Sequence, residues 1–106
     1  MIILTNHLKE RKMALYRITK FTASDMDKAE KIAESMRDVL EGAGANFIDL
    51  VSYGDGDCVG VAIYPNQAAM DAATETAKQA FGKMVEARAI DGNSIQQQTG
   101  EVFISL

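Results

Sequence analysis

The sequence predicts an α+β domain of the ferredoxin-like class, with the element order βαββαβ and an antiparallel sheet. Two observations carry this prediction. Two long stretches with apolar residues at helical spacing alternate with shorter stretches rich in β-branched and aromatic residues. An Asp-Gly turn joins the two middle strands. The chain length of 106 residues suits one such domain.

The first strand and first helix are predicted from residue type and spacing. The strand covers Leu15 to Thr22, where β-branched and aromatic residues dominate. Ser24 is followed by Asp27 at the spacing of a capping box, which predicts the start of the helix. We expect one continuous helix to about Leu40. Its apolar stripe comprises Met26, Ala29, Ile32, Ala33, Met36, Val39 and Leu40.

The remaining elements follow from turn residues and capping signals. Strands are predicted over residues 45–53 and 57–64, and Gly54-Asp55-Gly56 forms the hairpin turn between them. Pro65 ends the sheet pairing, and Asn66 caps the second, alanine-rich helix. That helix ends before Asp91-Gly92-Asn93. A short edge segment is expected over 95–99, and the last strand over 101–106.

Residues 1–12 read as an N-terminal extension, and residues 13–106 as the domain. Met13 is a natural start for the six-element unit, and a charge cluster precedes it. An ordered extension needs a surface on which to pack, so we expect Ile2, Ile3 and Leu4 to dock on apolar surface. A chain beginning at Met13 is predicted to fold and dimerise.

Composition and charge exclude several classes of partner. The net charge is −4 and no basic stripe is present, so nucleic acid is not an expected partner. No apolar run approaches the ~20 residues of a membrane helix, so no membrane partner is expected. Cys58 is the single cysteine, which excludes an internal disulfide. An unpaired thiol favours the reducing cytoplasm.

The strand patterns predict that both faces of the sheet are covered. In the third strand Val59, Val61 and Ile63 share one face, while Gly60 and Ala62 share the other. Helices cover only one face of a ferredoxin-like sheet, and a wet face would show cleaner alternation with polar residues. We therefore expect a homodimer in which a second copy packs sheet against sheet.

A family resemblance rests on two stretches of strand and the junction to the second helix. Asn46-Phe47-Ile48-Asp49-Leu50-Val51 and, after the hairpin, Val59-Gly60-Val61-Ala62-Ile63-Tyr64-Pro65-Asn66 leading into Ala69-Met70 resemble the dimeric α+β barrel superfamily. Within that superfamily, residues 13–106 look most like small antibiotic-biosynthesis-monooxygenase-like proteins. The resemblance implies sheet-to-sheet dimers. Some members oxidise aromatic polyketides without a cofactor and some degrade haem. This chain has no tryptophan, so no catalytic residue is carried over.

Residues that could carry chemistry are few, and each has a structural explanation. His7, the only histidine, is expected to be solvated. Cys58 has no basic sequence neighbour and is expected to be a small buried side chain. The carboxylates Asp49, Asp55 and Asp57 lack the glutamate that ends a calcium loop. The sequence therefore predicts neither a metal site nor a cofactor, and chelators should leave the melting temperature unchanged.

A small-ligand pocket between the sheet and the helices is the remaining possibility. Its polar groups are expected to come from strand residues that can both stack on a planar ligand and form hydrogen bonds with it. These residues are Tyr16, Arg17, Asn46, Tyr53 and Tyr64. Of that set, Asn46, Tyr53 and Tyr64 are predicted to bind the ligand. Three functions stay open: a dimer without catalysis that binds a small apolar or aromatic ligand or no ligand, a cofactor-independent monooxygenase acting on an aromatic substrate, and a regulatory small-molecule-binding module.

Overall fold

A computed structural model describes residues 14–106 of the chain. Predictions that concern residues 1–12, including the solvated His7 and the docking of Ile2, Ile3 and Leu4, lie outside the described residues. The elements, in chain order, are strand β1 (Leu15–Thr22), helices α1 (Met26–Ser35) and α2 (Arg37–Glu41), strands β2 (Phe47–Gly54) and β3 (Asp57–Tyr64), helix α3 (Gln67–Glu86), a 3-10 turn (Gly92–Ser94) and strand β4 (Gln96–Glu101).

The four strands form one antiparallel sheet in the order β2-β3-β1-β4. The α+β, ferredoxin-like class predicted from the sequence is thereby confirmed. Ile18 of β1 lies opposite Val61 of β3, and Val61 lies opposite Asp49 of β2. Because side chains alternate between faces along a strand, this register also fixes which residues meet the helices.

The first helix differs from the prediction at its start and in its middle. Asp25, not Ser24, is the N-cap, and its carboxylate accepts a hydrogen bond from the Lys28 N–H at 3.0 Å. The Ser24 hydroxyl instead donates to the Arg88 carbonyl. The predicted single helix is divided at Met36, whose backbone φ of −104° separates α1 from α2. A uniform apolar stripe does not reveal such a break, because the stripe continues on both sides of it.

The hairpin and the second predicted helix match the sequence closely. Gly54, Asp55 and Gly56 all have positive φ, which the tight turn requires. At Gly56 a Cβ would lie 2.5 Å from the Ala23 carbonyl oxygen, so only glycine fits there. Asn66 caps α3 through its side-chain oxygen, which accepts from the Ala69 N–H at 2.8 Å.

The prediction of the last strand is wrong. Strand β4 covers Gln96–Glu101, and Glu101 lies opposite Leu15, where β1 begins. Beyond this point, within residues 14–106, one backbone bond joins the Val102 N–H to the Ala14 carbonyl. The apolar residues of 102–106 favour a strand by composition, yet β1 offers them no further partner. Glutamines form the strand instead, since their long polar side chains suit the exposed edge of a sheet.

The helix side of the sheet holds two clusters of buried residues. The first brings together the end of β1, the start of β3 and the end of α3; it comprises Phe21, Ala23, Ala29, Cys58, Met84, Ala89 and Ile90. The second lies beneath the start of α3 and comprises Ala62, Tyr64, Met70 and Ala73. Alanines account for half of the second cluster and three of the seven residues of the first.

The opposite face of the sheet carries a group of apolar residues as well as Lys20 and Asp49, and it is not covered by any helix of the described residues. Val59, Val61 and Ile63 form its centre. Ile18, Phe47 and Val51 flank them and are more than one third exposed. Among the described residues, no helix combines the length and apolar character needed to cross a membrane.

Candidate functional site

A half-open cleft of about 760 Å³ lies between helices α1 and α2 on one side and strand β2 on the other. The helical side of the cleft is interrupted at Met36, which separates α1 from the short α2. The apolar walls come mainly from three elements and include Met26, Ala29, Ala33, Leu40, Ile48 and Leu50. A cavity of this size and composition is typical of small-ligand sites.

The floor of the cleft is formed by the first core cluster. Phe21, Cys58 and Met84 all line it. The Cys58 thiol lies 3.5 Å from the Met26 sulfur. Burial raises the pKa of this thiol, and the neighbouring carboxylate of Asp57 raises it further. The thiol therefore stays protonated and weakly nucleophilic near neutral pH, as the sequence prediction of an unreactive cysteine requires.

The rim of the cleft carries all the charges among its described lining residues. These are the carboxylates of Glu30, Glu34 and Glu41 and the guanidinium of Arg37. Arg37 binds Glu34 through two nitrogens, with Nε to Oε2 at 2.8 Å, and lies 3.5 Å from Glu41. The hydrogen bond from Arg37 lowers the pKa of the Glu34 carboxyl. Glu30 has no ion-pair partner among the described residues.

The structure places the three predicted ligand-binding residues in three different surroundings. Asn46 lines the cleft, and its backbone N–H is fixed by the Ile63 carbonyl at 2.6 Å. Tyr53 lies at an irregularity in the pairing of β2, is 74% exposed and does not line the cleft. Tyr64 is buried in the second core cluster, away from the cleft lining. Ligand binding by the three residues stays a prediction, and only Asn46 is positioned at the cleft.

Tyr64 packs against a buried arginine. Arg17 is 7% exposed and stacks over the Tyr64 ring at 5.4 Å. Its guanidinium donates to the Thr74 hydroxyl at 2.8 Å and to the Met70 carbonyl at 3.4 Å. Its Nε has no hydrogen-bond partner within the described residues. These contacts attach β1 to α3 and fill this part of the layer.

Sequence reasoning missed most of the cleft. The predicted polar set contained strand residues alone, whereas α1 and α2 provide the rim and much of the wall. The signal that could have found it is the acidic side of the first helix, where Glu30 and Glu34 lie one turn apart beside the apolar stripe. Among the described residues, no group of three histidine, cysteine or carboxylate side chains is arranged to hold a metal ion.

Comparison with family models and with curated proteins gives no match. Solved structures do match. A conserved protein of Methanosarcina mazei superposes with a TM-score of 0.73 at 10% identity, covering 88% of this chain and 96% of that one. A dimeric ferredoxin-like protein from an uncultured marine organism gives 0.62 at 14% identity, covering 92% and 94%. A monooxygenase of Streptomyces coelicolor in complex with nanaomycin D gives 0.66 at 8% identity, covering 93% and 96%.

These similarities span nearly the whole length of both chains in each comparison, while sequence identity is low. They therefore concern the fold. The likeness of fold, first seen in two strands and a helix junction, extends over 88–93% of this chain. The chain has the ferredoxin-like α+β fold that these dimeric and monooxygenase proteins share.

Proposed function

We propose that this protein is a homodimer in which each protomer binds a small, largely apolar ligand in the cleft between α1, α2 and β2. The single observation that carries the proposal is the cleft itself. It offers about 760 Å³, apolar walls and a few polar groups, among them Asn46 and Ser52. Its walls belong to helices and strands, so the space is held open by the fold.

The uncovered face of the sheet supports the homodimer. Ile18, Phe47 and Val51 present apolar surface there, next to the apolar centre of β3. Lys20 and Asp49 share this face. A group of exposed apolar side chains beside such charges marks an interaction site. A second copy supplies a surface of matching polarity, and the ferredoxin-like neighbour from the marine organism is described as dimeric.

The predicted cytoplasmic location is in keeping with the free Cys58 thiol.

The dimer is tested by adding a charge to the uncovered face. Ile18→Glu should convert a species of twice 11.5 kDa into one of 11.5 kDa in light scattering. The reason is that burying an unpaired carboxylate costs several kcal/mol, on the order of the stability of a modest interface. Val39→Glu is the matched control, because Val39 is also an exposed apolar residue but lies on α2. A wild-type chain that is monomeric at micromolar concentration contradicts the dimer.

The cleft is tested by filling it. Ala33 lines the cleft from α1, so Ala33→Phe should weaken binding of a neutral aromatic probe, naphthylmethanol, at least about tenfold in calorimetry, through loss of buried contact area. Ala72→Phe is the control, since Ala72 is exposed on α3 and does not line the cleft. Equal binding by the two variants, or no binding by the wild type, contradicts the proposal.

Ligand binding without catalysis is favoured over the oxygenase alternative. No histidine or tyrosine is among the described residues that line the cleft, and its one thiol is kept protonated by burial. General acid–base chemistry near neutral pH most often uses histidine. The monooxygenase neighbour supports the alternative through its fold alone. Oxygen uptake during incubation with an aromatic hydroquinone would overturn this preference.

A further inference from the structure

The charges at the cleft fall entirely on one side. The described lining residues from β2, β3 and α3 include apolar and neutral polar side chains, such as Ile48, Ser52 and Met84, but no charged one. All charge comes from the four rim residues of α1 and α2, defined above as Glu30, Glu34, Arg37 and Glu41. A ligand in the cleft therefore meets an apolar wall on the sheet side and ionised groups on the helix side.

The four rim charges do not cancel. Arg37 is shared between Glu34 and Glu41, so its single positive charge is opposed by two carboxylates. Glu30 adds a third carboxylate without an ion-pair partner in the described part of the chain. The rim thus carries three negative charges and one positive charge, and a net charge of −2 at neutral pH. Arg37, the one group that could attract an anion, already uses three of its nitrogens on carboxylates.

We propose that the ligand of this cleft is an amphipathic cation, with an apolar body in the cleft and a protonated amine or similar group at the Glu30 side of the rim. The proposal rests on the proposed function, because it assumes that the cleft is a ligand site. The physical basis is charge complementarity. A cation lowers the mutual repulsion of the rim carboxylates, whereas an anion adds to it. An apolar body gains from leaving water.

The expected preference is moderate, because the rim is exposed to solvent. Exposed ion pairs contribute about 0.2–1 kcal/mol each, or roughly 1.5- to fivefold in affinity. With a net excess of two carboxylates we expect a cation to bind about fivefold more tightly than a neutral molecule of the same shape. The preference should shrink as salt is added, since the screening length falls to about 8 Å at physiological ionic strength.

Three probes of one shape and different charge test the proposal on the full chain. These are naphthylmethylamine, which is a cation at neutral pH, the neutral naphthylmethanol, and the anion naphthoate. Calorimetry at low salt should give the order cation, neutral, anion, from tightest to weakest. Glu30→Gln should reduce the preference for the cation about two- to threefold. Glu75→Gln, an exposed carboxylate of α3 outside the cleft, should leave the preference unchanged.

The outcomes separate this inference from the function on which it rests. Equal or weaker binding of the cation relative to naphthylmethanol overturns the cation proposal and leaves ligand binding in place. A preference that Glu75→Gln reduces as much as Glu30→Gln shows attraction to the whole acidic protein, which also overturns it. Failure of all three probes to bind contradicts the proposed function itself.

Discussion

The layer between the sheet and the helices is closed at one end and open at the other. Beneath the start of α3, Arg17, Tyr64 and Met70 pack together, and each is at most 7% exposed. Beneath α1 and α2, Met26 and Leu50 remain 39% and 47% exposed around the cleft. Both regions lie on the same face of one sheet, so the sheet does not cause the difference.

The helices that cover the two regions explain the contrast. Helix α3 runs unbroken over twenty residues and places small side chains toward the sheet, so it packs closely. The other cover is interrupted at Met36, and its second part, α2, has only five residues and no buried side chain. The open region thus lies under the short, interrupted cover, and the closed region lies under the long helix.

Truncating one methionine in each region should give the largest difference. Met70→Ala removes a side chain that is 3% exposed and should lower the free energy of unfolding by about 3 kcal/mol, because it leaves a cavity in closely packed core. Met26→Ala, at the cleft, should cost less than about 1 kcal/mol, since its side chain is already in partial contact with water. Urea denaturation measures both values. Equal losses would mean that the two regions are packed alike.

Enlarging one alanine in each region sharpens the same comparison. Ala73→Leu should cost about 2 kcal/mol, because Ala73 is 2% exposed and the new methyl groups have no space. Ala33→Leu should change the free energy of unfolding by less than about 0.5 kcal/mol, since the added atoms enter the cleft. The same denaturation experiment applies. A loss at Ala33 as large as that at Ala73 contradicts an open cleft.

The thiol on the cleft floor gives a smaller effect that depends on pH. Burial raises the pKa of Cys58 in the folded protein above its ordinary value of about 9. The protonated thiol therefore contributes stability that is complete below that ordinary value and is lost as the pH rises through the raised pKa. Melting temperatures from neutral to strongly alkaline pH should fall less steeply for Cys58→Ala than for the wild type. Parallel curves would show that the thiol is as solvated as in the unfolded chain.

The ion pair on the rim should have the smallest effect on stability. Arg37 and Glu34 are exposed, so Arg37→Ala should shift the melting temperature little at neutral pH. The lowered pKa of Glu34 gives the sign: the contribution is present above the unfolded value of about 4.5 and is lost as the pH falls through the folded pKa. Melting curves at neutral and acidic pH check this. A large loss at neutral pH would show that the pair holds α1 and α2 together.

Much of the fold could be predicted because its signals are local. Asp55-Gly56 specifies the hairpin and Asn66 specifies the start of α3, and both are within a few residues of the structure they determine. The prediction of the last strand failed because the strand ends where Glu101 pairs with Leu15. That constraint lies more than eighty positions away in the chain, so the local composition of residues 102–106 favoured the wrong segment.

The candidate site was less predictable, because it depends on which residues face each other across the layer. Tyr64 and Asn46 looked equivalent in sequence. In the folded chain Asn46 lines the cleft, whereas Tyr64 lies beneath Arg17. In the sequence, the rim carboxylates have the spacing of charged residues on an ordinary solvent-exposed helix face. These carboxylates lie at a cleft only because β2 faces the helices, and the local sequence of α1 and α2 does not indicate that strand.

The register of the sheet also has a consequence for the order in which the protein folds. Strands β2 and β3 are joined by a tight turn, and isolated hairpins form in about 1–10 μs. Strand β4 pairs with β1 between residues such as Lys20 and Gln96, so closing that loop costs more chain entropy. We expect the hairpin to form early and β4 to join last. In hydrogen exchange, the amides of β4 should then be the first strand amides to lose protection.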